Sequence, residues 1–100
     1  MAKYFLSNQA VEDISDIWNY TCDTWSEIQA DKYYQLIITS CQAVAARPAI
    51  GRRYDEISSE MLGFHVGKHI IFYKLIDQQE IEVIRILHER MDLKNKLTEQ

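Results

Sequence analysis

Few side chains in this sequence can move a proton or grip a phosphate, and they gather toward its end. Arg85, His88 and Arg90 lie in the run Ile84-Arg85-Ile86-Leu87-His88-Glu89-Arg90-Met91, after His65, His69 and the pair Arg52-Arg53. Breaking a phosphodiester requires a base for the attacking hydroxyl, an acid for the leaving oxygen and cations for the charged phosphorus centre. Only Arg85 and His88 are well placed for this. Three positions apart on a regular strand, they project to opposite faces, so they make no catalytic pair unless a bulge re-aims one of them. No catalytic residue is assigned. His65 and His69 flank a turn, but no Cys or carboxylate spacing accompanies them, so they read as surface histidines, with neither metal nor cofactor expected. Arg52-Arg53-Tyr54 reads as solvated loop, with phosphate or an acidic partner as its alternative. Cys22 and Cys41, among apolar neighbours, read as buried inert thiols.

The elements that must position these residues follow from periodicity. Lys3-Tyr4-Phe5-Leu6 has the look of a first strand, and Ser7 offers an N-cap oxygen to a helix beginning at Asn8. Ala10, Ile14, Ile17, Trp18, Thr21 and Trp25 recur at three- and four-residue steps, one stripe of an amphipathic helix. Ser26-Glu27-Ile28-Gln29 has the form of a capping box and opens a second helix. Its stripe is Ala30, Tyr34, Ile37, Cys41 and Val44, and Pro48 stops it. So short a link makes the two helices antiparallel neighbours. Residues 49–60 read as a polar loop. Three strands follow, over 62–66, 70–76 and 81–87, joined by Gly67-Lys68 and Asp77-Gln78-Gln79, and residues 90–97 form a short helix or tail. The fold class is α+β: an N-terminal strand and a three-strand antiparallel meander in one sheet, the helical hairpin on one face, the other face partly open. On the last strand Ile84 and Ile86 are assigned to the face beneath the helices, and Ile81, Val83, Arg85 and Leu87 to the opposite one. A charge between Val83 and Leu87 is costly to bury alone. Arg85 therefore calls for an open groove, a carboxylate or a partner.

Size and charge narrow the function. The 100 residues make one domain, with a formal charge of −4 from 15 acids and 11 bases. That balance suits neither non-specific nor sequence-specific docking on nucleic acid. The acid concentrates in the helices (Glu12, Asp13, Asp16, Asp23, Glu27, Asp31), whereas the strand half is nearly balanced. No apolar run has the form of a signal peptide or the length of a membrane span, so a cytoplasmic protein is expected.

Seven segments in order carry a resemblance: Tyr4-Phe5-Leu6 with Ser7; Ile17-Trp18-Asn19-Tyr20; Gln29-Ala30 with Tyr33; Arg47-Pro48 with Gly51-Arg52; Phe64-His65-Val66-Gly67; Ile70-Ile71-Phe72-Tyr73; and Ile84 through Asp92. Together they resemble the ParE branch of the RelE/ParE toxin superfamily, across nearly the whole chain. The resemblance implies the toxin half of a type II toxin–antitoxin pair that inhibits DNA gyrase by binding, neutralised by a ParD-like antitoxin. The alternatives it leaves are a RelE-like ribosome-dependent messenger RNA endonuclease, and a non-toxic homologue acting only in the antitoxin repressor complex.

Two sets of residues are expected to serve such partners. Arg85, His88, Arg90 and Met91 form a candidate target-binding rim. The alternative for Arg85 is an ion pair with Glu82 or Glu89, and for the others a cap on the sheet. Trp25 at the helix connection, with Tyr20, Tyr33 and Ile38 left off the best helical stripe, supplies apolar surface for an antitoxin helix. The acidic face of the hairpin would favour basic residues in that segment.

Overall fold

The computed structural model describes residues 2–98. Strand β1 (Lys3–Leu6) leads into α1 (Asn8–Thr24) and α2 (Glu27–Ala46). A single 3-10 turn (Pro48–Ile50) and a two-residue strand β2 (Arg52–Arg53) precede β3 (Leu62–Val66), β4 (His69–Asp77), β5 (Glu80–His88) and α3 (Leu93–Thr98). The sheet order is β1-β5-β4-β3-β2, with β1 parallel to β5 and the other pairs antiparallel. The sheet thus has one strand more than the sequence suggested, because Arg52-Arg53 pairs with Leu62 and Gly63.

Local chemistry sets the boundaries. The Ser7 hydroxyl accepts from the Ala10 amide at 3.0 Å and starts α1, and the Ser26 hydroxyl does the same for Gln29 and α2. Each such cap is worth about 1 kcal/mol. The Trp18 indole N–H donates to Asp31 at 3.0 Å and ties the two helices together. Beneath them lies the main core: Ala10 and Ile14 of α1, Ile37, Cys41 and Val44 of α2, and Val66, Ile71, Tyr73, Ile81, Val83 and Ile86 of the sheet. Tyr34, expected in the α2 stripe, is exposed. Tyr33 and Ile38 pack on the core instead, so the buried stripe is rotated toward them.

The second sheet face is not open. Tyr54, Met61, Ile70, Phe72 and Leu87 form a smaller core, flanked by Ile57, Ile84, Leu93 and Leu97. Residues 54–61, read as polar loop, fold over the sheet, and α3 closes the rest. Tyr54 meets Phe72 edge-on at 5.1 Å, and the Arg52 guanidinium lies 4.5 Å above the Tyr54 ring.

Strand β5 departs most from regular alternation. Phe72 pairs with Arg85 and Tyr73 with Val83, so Ile84 has no partner on β4. This bulge moves the pattern by one residue. Ile81 and Val83 therefore join Ile86 beneath the helices, while Ile84 goes to the second face, the reverse of the alternation expected for those three. The bulge lies just beyond the end of β1, where β5 loses its neighbour on that side, and α1 takes over. The Ser7 hydroxyl donates to the Ile84 carbonyl at 2.7 Å, and Asp13 accepts from the Ile86 amide at 3.0 Å. The same Asp13 carboxylate binds Arg85 in a two-point fork, at 2.8 Å to Nε and 3.0 Å to Nη2. The side chains are only 16% and 11% exposed. Arg85 thus meets a carboxylate, but it is Asp13 of α1 rather than Glu82 or Glu89.

Because Asp13 serves two donors and Arg85 one carboxylate, the two are not equivalent. In urea unfolding, Asp13→Leu is expected to cost about 3 kcal/mol, since it strands both a guanidinium and the Ile86 amide. Arg85→Met is expected to cost less, since Asp13 keeps the amide. Equal losses would show that the amide bond contributes nothing.

Candidate functional site

At the end of the sheet where β4 begins and β5 finishes, the two strands meet the linked end of the helical hairpin. Their terminal residues His69 and His88 are paired in register, with ring centroids 5.3 Å apart and planes at 79°. Tyr33 of α2 reaches down to them. Its hydroxyl lies 2.6 Å from His69 Nδ1 and 3.1 Å from the Val66 carbonyl, and accepts from the Lys68 amide at 3.2 Å. The β3–β4 turn fits beneath this ring because Gly67 adopts φ +58°; a Cβ there would approach Tyr33 to 2.8 Å. His88 Nδ1 accepts from the Arg90 amide at 3.1 Å. Its neutral tautomer therefore carries the proton on Nε2.

Around these rings lies a cleft with two connected recesses. One, of about 430 Å³, is lined by Ile17, Tyr20 and Asp16 of α1 together with His69, His88, Arg90 and Met91. The other, of about 490 Å³, shares Tyr20, His69, His88 and Arg90 and extends along Thr21, Trp25, Gln29, Tyr33 and Lys68. Two of its aromatics are largely presented to solvent, Trp25 at 74% and Tyr20 at 69%.

The cleft thus joins both sets of expected site residues. His88, Arg90 and Met91 meet Tyr20, Trp25 and Tyr33 in one continuous surface. Two expected members fall outside it. Arg85 stands on the opposite side of β5, held by Asp13, so the bulge does not bring it to His88. Ile38 lines neither recess and is partly buried against the main core. Tyr33 is likewise not surplus, since its hydroxyl anchors the turn. Sequence reasoning missed His69, Lys68 and Asp16. The register of β4 on β5 would have placed His69 opposite His88 once the Asp77-Gln78-Gln79 turn was fixed.

The electrostatics oppose proton-transfer chemistry. Burial, and next the neighbouring His88, push the His69 imidazole down to about 4, against smaller opposing effects of Asp13 and Glu89. His69 is therefore uncharged at neutral pH and is not the surface histidine expected. Burial raises the Tyr33 phenol above its ordinary value and pushes the Cys41 thiol up to about 12, so neither ionises readily. Among the described residues no group of three side chains is placed to hold a metal ion. The charged lining is Lys68 and Arg90 against Asp16.

Comparison with known proteins fixes what kind of molecule carries this cleft. Residues 4–93 match the family described as "ParE toxin of type II toxin-antitoxin system, parDE". The chain belongs to the ParE toxin family. It is similar to Toxin ParE1 of Mycobacterium tuberculosis, at 35% identity over 96% of this chain and 98% of that protein. It is also similar to Toxin ParE1 of Caulobacter vibrioides, at 29% identity over 97% and 99% of the two chains. A solved structure described as "Chromosomal ParDE TA system from P. aeruginosa" superposes with a TM-score of 0.73, covering 88% of this chain and 95% of its own at 14% identity. At that identity the likeness shows the ParE fold alone.

In this ParE-family chain the His69 environment has a measurable signature. The unfolded chain takes up the proton near the ordinary 6.5 and the folded one near 4. Between those values the unfolded state holds more protons, so stability falls as the solution is acidified from about 6.5 to 4; above 6.5 this contribution is flat. Urea midpoints across that window should fall with pH, and His69→Asn should flatten the dependence. An imidazole resonance of His69 titrating near 6.5 would contradict the burial argument.

Proposed function

We propose that this ParE-family chain is a toxin that inhibits DNA gyrase by binding it, without catalysis of its own, and is neutralised by a ParD-like antitoxin, acting in the cytoplasm. The observation that carries the reading is the chemistry of the cleft: a continuous surface of exposed aromatics and imidazoles, with two cations and one acid. A surface of this kind suits adhesion, where a few buried aromatic anchors provide most of the binding energy. Family membership supports the gyrase target. The antitoxin follows from the same membership and from the ParDE assembly that shares the fold. Among the described residues no helix is long and apolar enough to cross a membrane.

One observation favours testing a second reading, RNA cleavage of the RelE kind. His69, His88, Lys68 and Arg90 share one cleft, and phosphoryl chemistry uses such groups. Against it stand the low proton affinity of His69 and the commitment of Arg85 to Asp13, which leave no matched acid and base.

The deciding experiment adds the purified protein to gyrase, relaxed plasmid and ATP, and in parallel to translating ribosomes. Lost supercoiling with cleaved DNA trapped on gyrase, and intact messenger, is the expected result. Messenger cut on the ribosome would replace the proposal with the second reading. Gyrase left fully active, with no growth arrest on expression, would leave a non-toxic homologue of the repressor complex. For the antitoxin, Trp25→Ala is expected to weaken binding about tenfold, by about 1.4 kcal/mol. Ile38→Ala should lower thermal stability instead, because that side chain sits on the core.

A further inference from the structure

The polar groups that line the cleft are unequal in kind. His88 spends its Nδ1 lone pair on the Arg90 amide, so its Nε2 is left as an N–H donor. Arg90 and Lys68, both exposed, can only donate. The Tyr33 hydroxyl is engaged by the turn and by His69. Asp16 is the one carboxylate on the lining, in the recess that Ile17, Tyr20, Met91 and Arg90 also line. Glu89, the other nearby acid, points toward His65, 3.9 Å away. Lys68, Arg90 and His88 therefore present donors and positive charge in excess of the one acid, while Ile17, Tyr20 and Met91 supply apolar surface beside them. This local sign is opposite to that of the chain as a whole, which carries −4. It is also opposite to the acidic helical face from which a basic partner segment was expected.

We propose that the cleft receives an acidic polypeptide segment bearing one large apolar side chain, its carboxylates set on Lys68, Arg90 and His88 and its apolar anchor in the recess of Ile17, Tyr20 and Met91. The proposal deepens the reading above and rests on it for one point, that the partner is a protein. A single nucleic-acid strand would also use aromatics and cations, but two cations on an acidic chain provide little of the counterion release that drives such binding. On a chain of net charge −4, these cations give an acidic segment a local site of attraction.

The test uses the full chain carrying Trp18→Phe, so that Trp25 at the cleft is the sole indole. Three probes are titrated at low salt: a glutamate-rich peptide with a central leucine–phenylalanine pair, its lysine-rich counterpart, and oligothymidine. The acidic peptide is expected to shift Trp25 emission to the blue and saturate, and added salt to weaken it. Lys68→Glu with Arg90→Glu, both at exposed positions and checked for folding by circular dichroism, should weaken it about tenfold. The proposal is overturned if the acidic peptide does not bind, if either other probe binds as tightly, or if the double variant binds it unchanged. Neither gyrase nor antitoxin is present, so a negative result here leaves the gyrase assay standing, and a negative gyrase assay leaves this result standing.

Discussion

The carboxylate of Asp13 is the point on which the arrangement turns. It grips Arg85 with two hydrogen bonds and takes the amide of Ile86 with a third contact. Those partners follow directly after the register change in β5, just beyond the point where β1 ends and the strand would otherwise show a bare edge. With Ser7 holding the Ile84 carbonyl, the first turns of α1 act as a substitute strand. Because the bulge is fixed in this way, Ile81 and Val83 face the helices, Leu87 faces the second core, and His88 emerges beside His69. A β5 without its extra residue would put His88 on the other side of the sheet and dismantle the cleft.

The cleft lies where the linked end of the helical hairpin meets the ends of β4 and β5, with two histidines and Met91 beside Tyr20, Trp25 and Tyr33. Desolvation is enough to hold His69 neutral there but not enough to close the site. The result is an exposed aromatic and aliphatic surface on a small domain, bounded by charges that set the sign of what can dock. On the binding reading proposed above, such a surface would recognise a partner through anchors and rim charges.

Much of this was legible in the residues. The caps at Ser7 and Ser26, the stop at Pro48, the stripe of Ala10 and Ile14, and the strands ending near Val66, Asp77 and His88 all follow from local rules. What was hidden depends on contacts between distant segments. Nothing near Arg85 points to Asp13, because the two meet only once α1 lies along the edge of β5. A bulge at Ile84 leaves no local mark, since alternation looks intact until the partner strand is known. The second core was missed because Tyr54, Ile57 and Met61 are scattered among charges, and a strand of two arginines carries no periodic signal. Within the site, Tyr20 was visible as an apolar residue off the helical stripe and Trp25 by its place at the helix connection. His69 needed the β4–β5 register, and Tyr33 and Ile38 needed the true rotation of α2.

The pairing of β1 with β5 has a consequence for how the chain comes into being. Lys3 lies opposite Glu80 and Leu6 opposite Val83, so almost the entire polypeptide separates two neighbouring strands. Loop closure over that span is slow compared with forming the helical hairpin, whose contacts are local. During synthesis the hairpin emerges first, with its apolar stripe bare and no sheet beneath it. His69 and His88 come together only after the last strand has left the ribosome, so the cleft is the last part of the molecule to take shape.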